Sequence, residues 1–298
     1  MRPAARDTDN HACLFLRPAP TPIPHVGGPV SAASREVKIN SLTAATYGDE
    51  SECTGVGSSP PPKDSIIGGC LAVFIEGSPA ARLAEKTYGG TVVVGSPNVF
   101  YSDAPGPLSE LAANWLHQYL QQQKDIPFNH PWDGCYWRAE RMRQIMDSQF
   151  GVSAKKIFVH GDLQPIVGTL HDPLGHGPVE WGYHVAPVVE GVDAAGKSVQ
   201  WVMDPAMSPN TVLTQSEWLD VTKGTGTISK VAIQPGESFA PGSAGGYSTD
   251  GSWADPVIER YRQDVANGEY SDPDADLTGH VATKTSLAKP IVRPPHLP

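Results

Sequence analysis

Three residues in the second half of the chain have side chains that together could perform nucleophilic catalysis: Cys135, His184 and Asp204. A cysteine thiolate is a strong nucleophile, an imidazole can move protons, and a carboxylate can orient that imidazole. Their order and separations suit a single compact domain. The sequence therefore predicts a thiol enzyme, provided that the local elements bring the three side chains together.

The residues around Cys135 predict a helix that begins just before it. Asp133 is a plausible N-cap. A thiol in the first turn lies near the positive end of the helix dipole and near free N–H groups, which favours the reactive thiolate. A buried structural cysteine is the alternative, and helix position alone leaves it open. The helical spacing of three and four is carried by Ala139, Met142, Ile145, Met146 and Phe150.

His184 and Asp204 fall in two predicted strands. Residues 179–189 read as a strand that contains His184, and residues 200–205 read as the next strand, which ends at Asp204. The stretch 190–198 has turn composition, so an antiparallel pair is expected, with the imidazole beside the carboxylate. A helix start for Cys and adjacent strands for His and Asp is the layout of papain-like and transglutaminase-like thiol enzymes.

The segments that carry these residues resemble the bacterial protein-glutaminase family of protein-glutamine deamidases. The resemblance covers roughly residues 115–235 and implies an α+β fold and a Cys135–His184–Asp204 triad. It implies no catalytic cofactor, and it places Trp218 at a matching downstream position. Two roles for Trp181 are left open: it lines the active-site cleft, or it fills the core. The resemblance depends most on residues 133–136 (DGCY), 181–186 (WGYHVA) and 204–207 (DPAM).

The implied chemistry is acyl transfer. Cys135 attacks the carboxamide of a glutamine side chain, and His184 protonates the departing ammonia and then activates water. The backbone N–H of Cys135 would hold the oxyanion, and Asn129 is an undecided second donor. A transglutaminase-like cross-linker and a cysteine peptidase are alternatives, since all three form a thioester.

The first hundred residues contain a threefold repeat. The copies are 3–6 (PAAR), 43–46 (TAAT) and 79–82 (PAAR), with short alternating strands and glycine pairs between them. This pattern predicts an all-β module of stacked hairpins, whose small core needs a staple such as a metal. His11, His25 and Cys53 are candidate zinc ligands. On spacing alone, two surface histidines and a buried cysteine remain the other interpretation.

This region resembles the PAAR-repeat family, whose members form the sharp tip of the type VI secretion spike. The resemblance covers residues 1 to about 103 and implies a cone of short hairpins with one structural Zn, held by three His and one Cys. His11, His25 and Cys53 match three ligand positions. Tyr88 stands where the fourth histidine is expected, so the resemblance implies three protein ligands plus water, or an empty site.

Composition excludes several function classes. The chain has 298 residues and a net charge of −10, which argues against binding to nucleic acid or to anionic membranes. The longest apolar run, residues 66–75, is too short to span a bilayer. The N-terminus has no apolar segment typical of a signal peptide. The four cysteines form no C-x-x-C pair.

We therefore expect a spike tip at 1–103, a linker at 104–114, a catalytic domain at 115–240 and a Gly/Ser/Pro-rich extension at 241–298. The expected protein is a type VI effector, made in the bacterial cytoplasm and secreted into a target cell. Its expected partners are the trimeric valine-glycine-repeat spike protein, target-cell protein substrates and, for bacterial targets, an immunity protein. A spike-tip adaptor with an inactive domain is the non-enzymatic alternative.

Overall fold

The structure is a computed structural model that describes residues 1–17, 21–33, 35–54, 63–102, 105–128, 134–165, 181–242, 246–251 and 254–267. The chain divides into two compact units. Unit 1 comprises residues 1–108 and 147–152, and unit 2 comprises residues 109–146 and 153–298. Each unit is described by itself below.

Unit 1 is built from short strands that pair in antiparallel ribbons. The strands are β1 (Arg2–Pro3), β2 (His11–Cys13), β3 (Leu16–Arg17), β4 (Ile23–Pro24), β5 (Val30–Ser31), β6 (Lys38–Ile39), β7 (Leu42–Thr43), β8 (Glu50–Glu52), β9 (Lys63–Ser65), β10 (Cys70–Ile75), β11 (Ser78–Ala80), β12 (Gly90–Val92) and β13 (Phe100–Tyr101). The pairs are β1–β13, β2–β12, β3–β4, β6–β7 and β10–β11, and β8 lies between β5 and β9. The predicted β-rich N-terminal module is confirmed.

The second alanines of the three repeats meet inside unit 1. The N–H of Ala5 donates to the carbonyl of Ala81 at 3.0 Å, Ala45 donates to Ala5 at 3.0 Å, and Ala81 donates to Ala45 at 2.9 Å. All three side chains are fully buried. This closed ring of hydrogen bonds relates the repeats to one another, and close packing around it leaves room only for small side chains.

The middle repeat lacks the arginine that ends the other two copies, and an arginine from outside the repeat replaces it. In the first and third repeats, the arginine after the alanines bonds an acidic residue three positions later, as Arg6 does with Asp9 at 2.9 Å. Thr46 occupies this position in the middle repeat. Both terminal nitrogens of Arg35 instead lie 2.8 Å from the Asp49 carboxylate, which restores a bidentate ion pair.

Unit 2 combines an antiparallel sheet with helices. After β14 (Leu108–Ser109), where the unit boundary falls, the helices are α1 (Glu110–Gln121), α2 (Cys135–Phe150), α3 (Gln215–Lys223) and α4 (Ala254–Asn267). The strands are β15 (Lys155–Leu163), β16 (Trp181–Val192), β17 (Ser198–Val202), β18 (Leu213–Thr214), β19 (Thr227–Gln234), β20 (Ala240–Pro241) and β21 (Tyr247–Ser248). Five strands lie in the order β18-β17-β16-β15-β19, and all their pairings are antiparallel.

The sheet and helix α3 share one apolar core. Alternate residues of β15, such as Ile157 and Val159, belong to this core together with Val188 of β16. Trp218 of α3 is fully buried among them. Helix α3 starts with a capping box, in which the Thr214 side chain and Glu217 each bond the other's backbone N–H. The cap fixes the residue at which α3 starts, and this determines where Trp218 packs in the core.

Helix α2 is connected to β15 by an ion pair whose lysine is fully buried. The Nζ atom of Lys156 lies 2.7 Å from Glu140 Oε2 and 2.7 Å from the carbonyl oxygen of Ser238. Burial lowers the pKa of Lys156, although Glu140 opposes that shift. A buried ammonium needs such partners, so this contact fixes the helix that carries Cys135 against the sheet.

Candidate active site and metal site

Cys135 is the first residue of helix α2, as the sequence predicts, and its side chain is buried. The preceding Gly134 has a φ of +88°, a conformation that L side chains rarely adopt. A Cβ atom there would also lie 3.0 Å from the ring of Tyr261. Glycine therefore lets the chain turn into the helix directly before the thiol. Asp133 and Asn129 lie outside the described residues.

His184 lies in β16, and Asp204 lies just beyond the end of β17. The two strands are an antiparallel pair, with Val188 opposite Val202. Both polar residues are more than nine-tenths buried, and His184 Nε2 lies 2.7 Å from Asp204 Oδ2. The predicted strand pair and the predicted contact between imidazole and carboxylate are both confirmed.

Two indole rings surround the imidazole. The ring of Trp181 stacks on His184 with centroids 4.6 Å apart, and the ring of Trp218 stacks on it at 5.6 Å. Trp218 Nε1 also donates to Asp204 Oδ2 at 2.8 Å, so indole and imidazole share one carboxylate oxygen. Sequence reasoning missed this hydrogen bond, because spacing along the chain does not reveal which atom a buried indole N–H meets.

The electrostatics of the pair favour an imidazolium beside a carboxylate. Burial disfavours the charged imidazole, but Asp204 and the neighbouring Cys135 thiol outweigh it and raise the pKa of His184 to about 9. Burial also disfavours the carboxylate, yet His184, Trp218 and the nearby Arg138 hold the pKa of Asp204 below its usual value. Each group keeps its partner charged, which is the effect expected of opposite charges at this distance.

The hydrogen bond to Asp204 gives the two imidazole nitrogens of His184 separate tasks. Nε2 of His184 is bonded to Asp204, so Nδ1 is the nitrogen left for the Cys135 thiol. A protonated imidazole with this orientation can stabilise a thiolate and later deliver a proton to a leaving group. The arrangement can therefore perform covalent acyl chemistry.

Unit 1 contains a cluster of metal-binding side chains. One ligand atom each from His11, Cys13 and Cys53 lies within 4.8 Å of the other two, and all three residues are buried. Cys53 Sγ lies 3.2 Å from Cys13 Sγ and 3.7 Å from His11 Nε2. His25 Nδ1 lies 3.6 Å from Cys13 Sγ. Two imidazoles and two thiols are a typical donor set for a structural zinc ion.

The surroundings of the cluster fit a cation. Burial, followed by the neighbouring Cys13 and Asp64, raises the pKa of Cys53 to about 12, so a thiolate at this position needs a cation beside it. His11 Nδ1 lies 3.0 Å from the carbonyl oxygen of Gly28, so its proton can be donated there while Nε2 faces Cys53. Outer hydrogen bonds of this kind orient metal-binding histidines.

Cys13 is the member of this cluster that sequence reasoning missed. The sequence expectation was His11, His25 and Cys53 with a gap at Tyr88, whose side chain is 73% exposed. His11 and Cys13 are alternate residues of β2, so both face the same side of that strand. The His-x-Cys spacing was the signal available in the sequence.

Comparison with known families gives one match in each half of the chain. Residues 113–222 match the family described as Glutaminase, and residues 20–95 match the family described as PAAR motif. Comparison with curated proteins gives no match.

Solved structures of protein-glutaminases resemble the chain. A crystal structure of protein-glutaminase is 25% identical, with a TM-score of 0.43, over 52% of this chain and 88% of the other. The NMR structure of protein-glutaminase from Chryseobacterium proteolyticum is also 25% identical, with a TM-score of 0.41, over 49% and 85%. A crystal structure of pro-protein-glutaminase is 17% identical, with a TM-score of 0.45, over 87% and 93%.

The glutaminase match over residues 113–222 indicates that this part of the chain is a deamidating hydrolase. The chain joins a PAAR motif to a protein-glutaminase domain. The PAAR motif associates this deamidase with type VI secretion and with the valine-glycine-repeat spike protein, and members of that family bind metal. Among the residues described by the structure, no helix is long and apolar enough to cross a membrane.

Proposed function

We propose that the glutaminase domain converts glutamine side chains of target proteins to glutamate through the triad Cys135, His184 and Asp204. One observation carries this assignment: the buried His184 is hydrogen-bonded to Asp204 at 2.7 Å, and the thiol of Cys135 is close enough to raise the pKa of that imidazole. This order of nucleophile, base and acid also supports the expected likeness to papain-like and transglutaminase-like enzymes.

In the first half-reaction, the thiolate of Cys135 attacks the side-chain carbonyl carbon of glutamine. The carbonyl π electrons move onto oxygen, and the oxyanion lies near the backbone N–H of Cys135 at the helix start. When the tetrahedral intermediate collapses, the C–N bond breaks. The imidazolium of His184 gives its Nδ1 proton to the nitrogen, which leaves as ammonia.

In the second half-reaction, water hydrolyses the thioester. The now neutral Nδ1 of His184 takes a proton from water, and the resulting hydroxide attacks the γ-glutamyl carbonyl carbon. The C–S bond breaks, glutamate is released, and the thiolate–imidazolium pair is restored. Asp204 holds the imidazole in the required orientation throughout, and the N–H of Trp218 holds Asp204 in turn.

The tip of unit 1 is proposed to hold one structural zinc ion. His11, His25 and Cys53 are the expected ligands, and Cys13 joins them as the fourth donor. When bound, the cation would stabilise the two thiolates and connect segments that are distant in sequence.

The fusion supports an effector role. We propose that one chain serves both as spike tip and as cargo, made in the bacterial cytoplasm and delivered into a target cell. The spike protein is the partner of unit 1, and target-cell proteins are the substrates of unit 2. An immunity protein is expected where the target is a bacterium.

Ammonia release separates this function from its alternatives. The full-length chain is incubated with a panel of native and denatured proteins, and ammonia, cross-linked products and cleaved products are measured together. Deamidation predicts ammonia with unchanged substrate size. Cross-linked products would indicate a transglutaminase, fragments a peptidase, and no change in any readout a spike-tip adaptor.

A further inference from the structure

Helix α1 bonds the segment that follows the triad acid. We refer to residues 204–212 as the acid loop. The side-chain oxygen Oδ1 of Asn114 accepts a hydrogen bond from Thr211 Oγ1 at 2.8 Å and another from the backbone N–H of Val212 at 3.0 Å. These contacts hold the far end of the acid loop against α1.

A second side chain of α1 bonds the middle of the acid loop. His117 Nε2 lies 2.6 Å from the carbonyl oxygen of Ser208, and because a carbonyl oxygen only accepts, Nε2 must carry the proton. Ser208 in turn donates its N–H to the carbonyl oxygen of Asp204 at 3.0 Å. Two hydrogen bonds thus connect His117 with the backbone of Asp204.

The environment of His117 keeps it neutral. The residue is fully buried, and among the described residues Nδ1 has no hydrogen-bond partner. Burial lowers the pKa of His117, against the opposing influence of the Ser208 carbonyl and of Asp204. A neutral imidazole with its proton on Nε2 is the form that donates to the loop.

We propose that His117, together with Asn114, is a positioning residue for the catalytic acid. By fixing the middle and the far end of the acid loop, the two side chains hold the Asp204 carboxylate at the distance where it orients His184. This inference rests on the triad proposed above. It gives α1 a role in catalysis, although its apolar pattern alone predicts only core packing.

Two variants distinguish the hydrogen bond donated by His117 from the space that its side chain fills. Phenylalanine fills a similar space but cannot donate, whereas glutamine can present an N–H at a similar distance from the backbone. His117→Phe and His117→Gln are compared in the full-length chain. Asn114→Ala tests the loop's far end from a half-buried position, and Leu116→Ala, on the same helix, is the control for lost packing.

Two measurements are made on each variant: kcat and KM for ammonia release, and the titration of His184 followed by NMR of labelled histidine. We expect His117→Phe to lower kcat about 10- to 100-fold with little change in KM, the range for groups that orient a catalytic side chain. The pKa of His184 should fall from about 9 toward the ordinary value of about 6.5. His117→Gln should recover most of the kcat and most of the raised pKa of His184. Asn114→Ala should lower kcat and the pKa of His184, as His117→Phe does.

The outcomes distinguish this inference from the proposed triad. If wild-type His184 titrates near 9 and Cys135→Ala is inactive, but His117→Phe and Asn114→Ala both behave as the wild type, the positioning role is wrong and the triad stands. The same holds if Leu116→Ala shifts the titration as much as they do. If His117→Phe does not fold, Asn114→Ala alone decides. If Cys135→Ala stays active, the triad itself is wrong.

Discussion

Trp218 donates its indole N–H to the same oxygen of Asp204 that bonds His184, at 2.8 Å. This places a neutral donor beside the imidazole at one carboxylate oxygen. The donor helps keep Asp204 ionised, and it restricts rotation of the carboxylate. Asp204 is therefore held by its neighbours as well as by its own backbone.

Trp218→Phe should keep most of the buried ring and remove this donor. We expect kcat to fall about 10-fold, since the carboxylate can rotate away from His184. Trp201→Phe in β17 is the matched control, because it makes the same change of ring at another buried position. Equal losses of kcat in both variants would show that the N–H of Trp218 has no specific role.

Replacing each of the three triad residues should reduce ammonia release to a different extent. Cys135→Ala should abolish ammonia release with the fold intact, and His184→Ala should be nearly as severe. Asp204→Asn should be milder, with a loss of about 10⁴-fold by analogy with other triads. The losses should not add in double variants, because the three groups act as a unit. If the losses of kcat in double variants were additive, the three residues would not act as a unit.

The raised pKa of His184 predicts how stability depends on pH. Because folding raises this pKa from 6.5 to about 9, the folded state is stabilised fully below pH 6.5. That contribution, about 3 kcal/mol, is lost as the pH rises through 9. Urea unfolding followed by tryptophan fluorescence measures it, since all seven tryptophans lie beyond residue 114. His184→Gln should flatten this dependence between pH 6.5 and 9, and an unchanged slope would contradict the assignment.

Cobalt substitution counts the thiolates of the metal site. The full chain should bind about one ion, and its thiolate-to-cobalt absorption should correspond to two cysteines. Cys13→Ser should halve that absorption and weaken binding, as Cys53→Ser should. Tyr88→Phe is the control and should change neither, because Tyr88 is exposed. Undiminished absorption in Cys13→Ser would remove Cys13 from the site.

Residue order and local patterns predicted much of this architecture. The alanine repeats predicted the β-rich unit, and the helix start at Cys135 and the strand pair carrying His184 were placed correctly. These features depend on local spacing and on turns between neighbours in sequence, which the chain displays directly.

Contacts between distant segments were not predictable in the same way. Cys13 meets Cys53 only because the hairpins of unit 1 fold back on one another. His117 reaches Ser208 across the domain, although its helix displays only an apolar pattern. In both cases the contact depends on tertiary packing, so the local sequence does not predict the partner residue.

The central claim is that Cys135 forms a thioester with a glutamine side chain. A peptide with a single glutamine is mixed with the full-length chain, the reaction is quenched in acid, and the covalent adduct is mapped by mass spectrometry while ammonia is measured. We expect an adduct on Cys135 that appears with the first ammonia released and is absent from Cys135→Ala. Ammonia release by Cys135→Ala at the wild-type rate, or an adduct on another residue, would contradict the account.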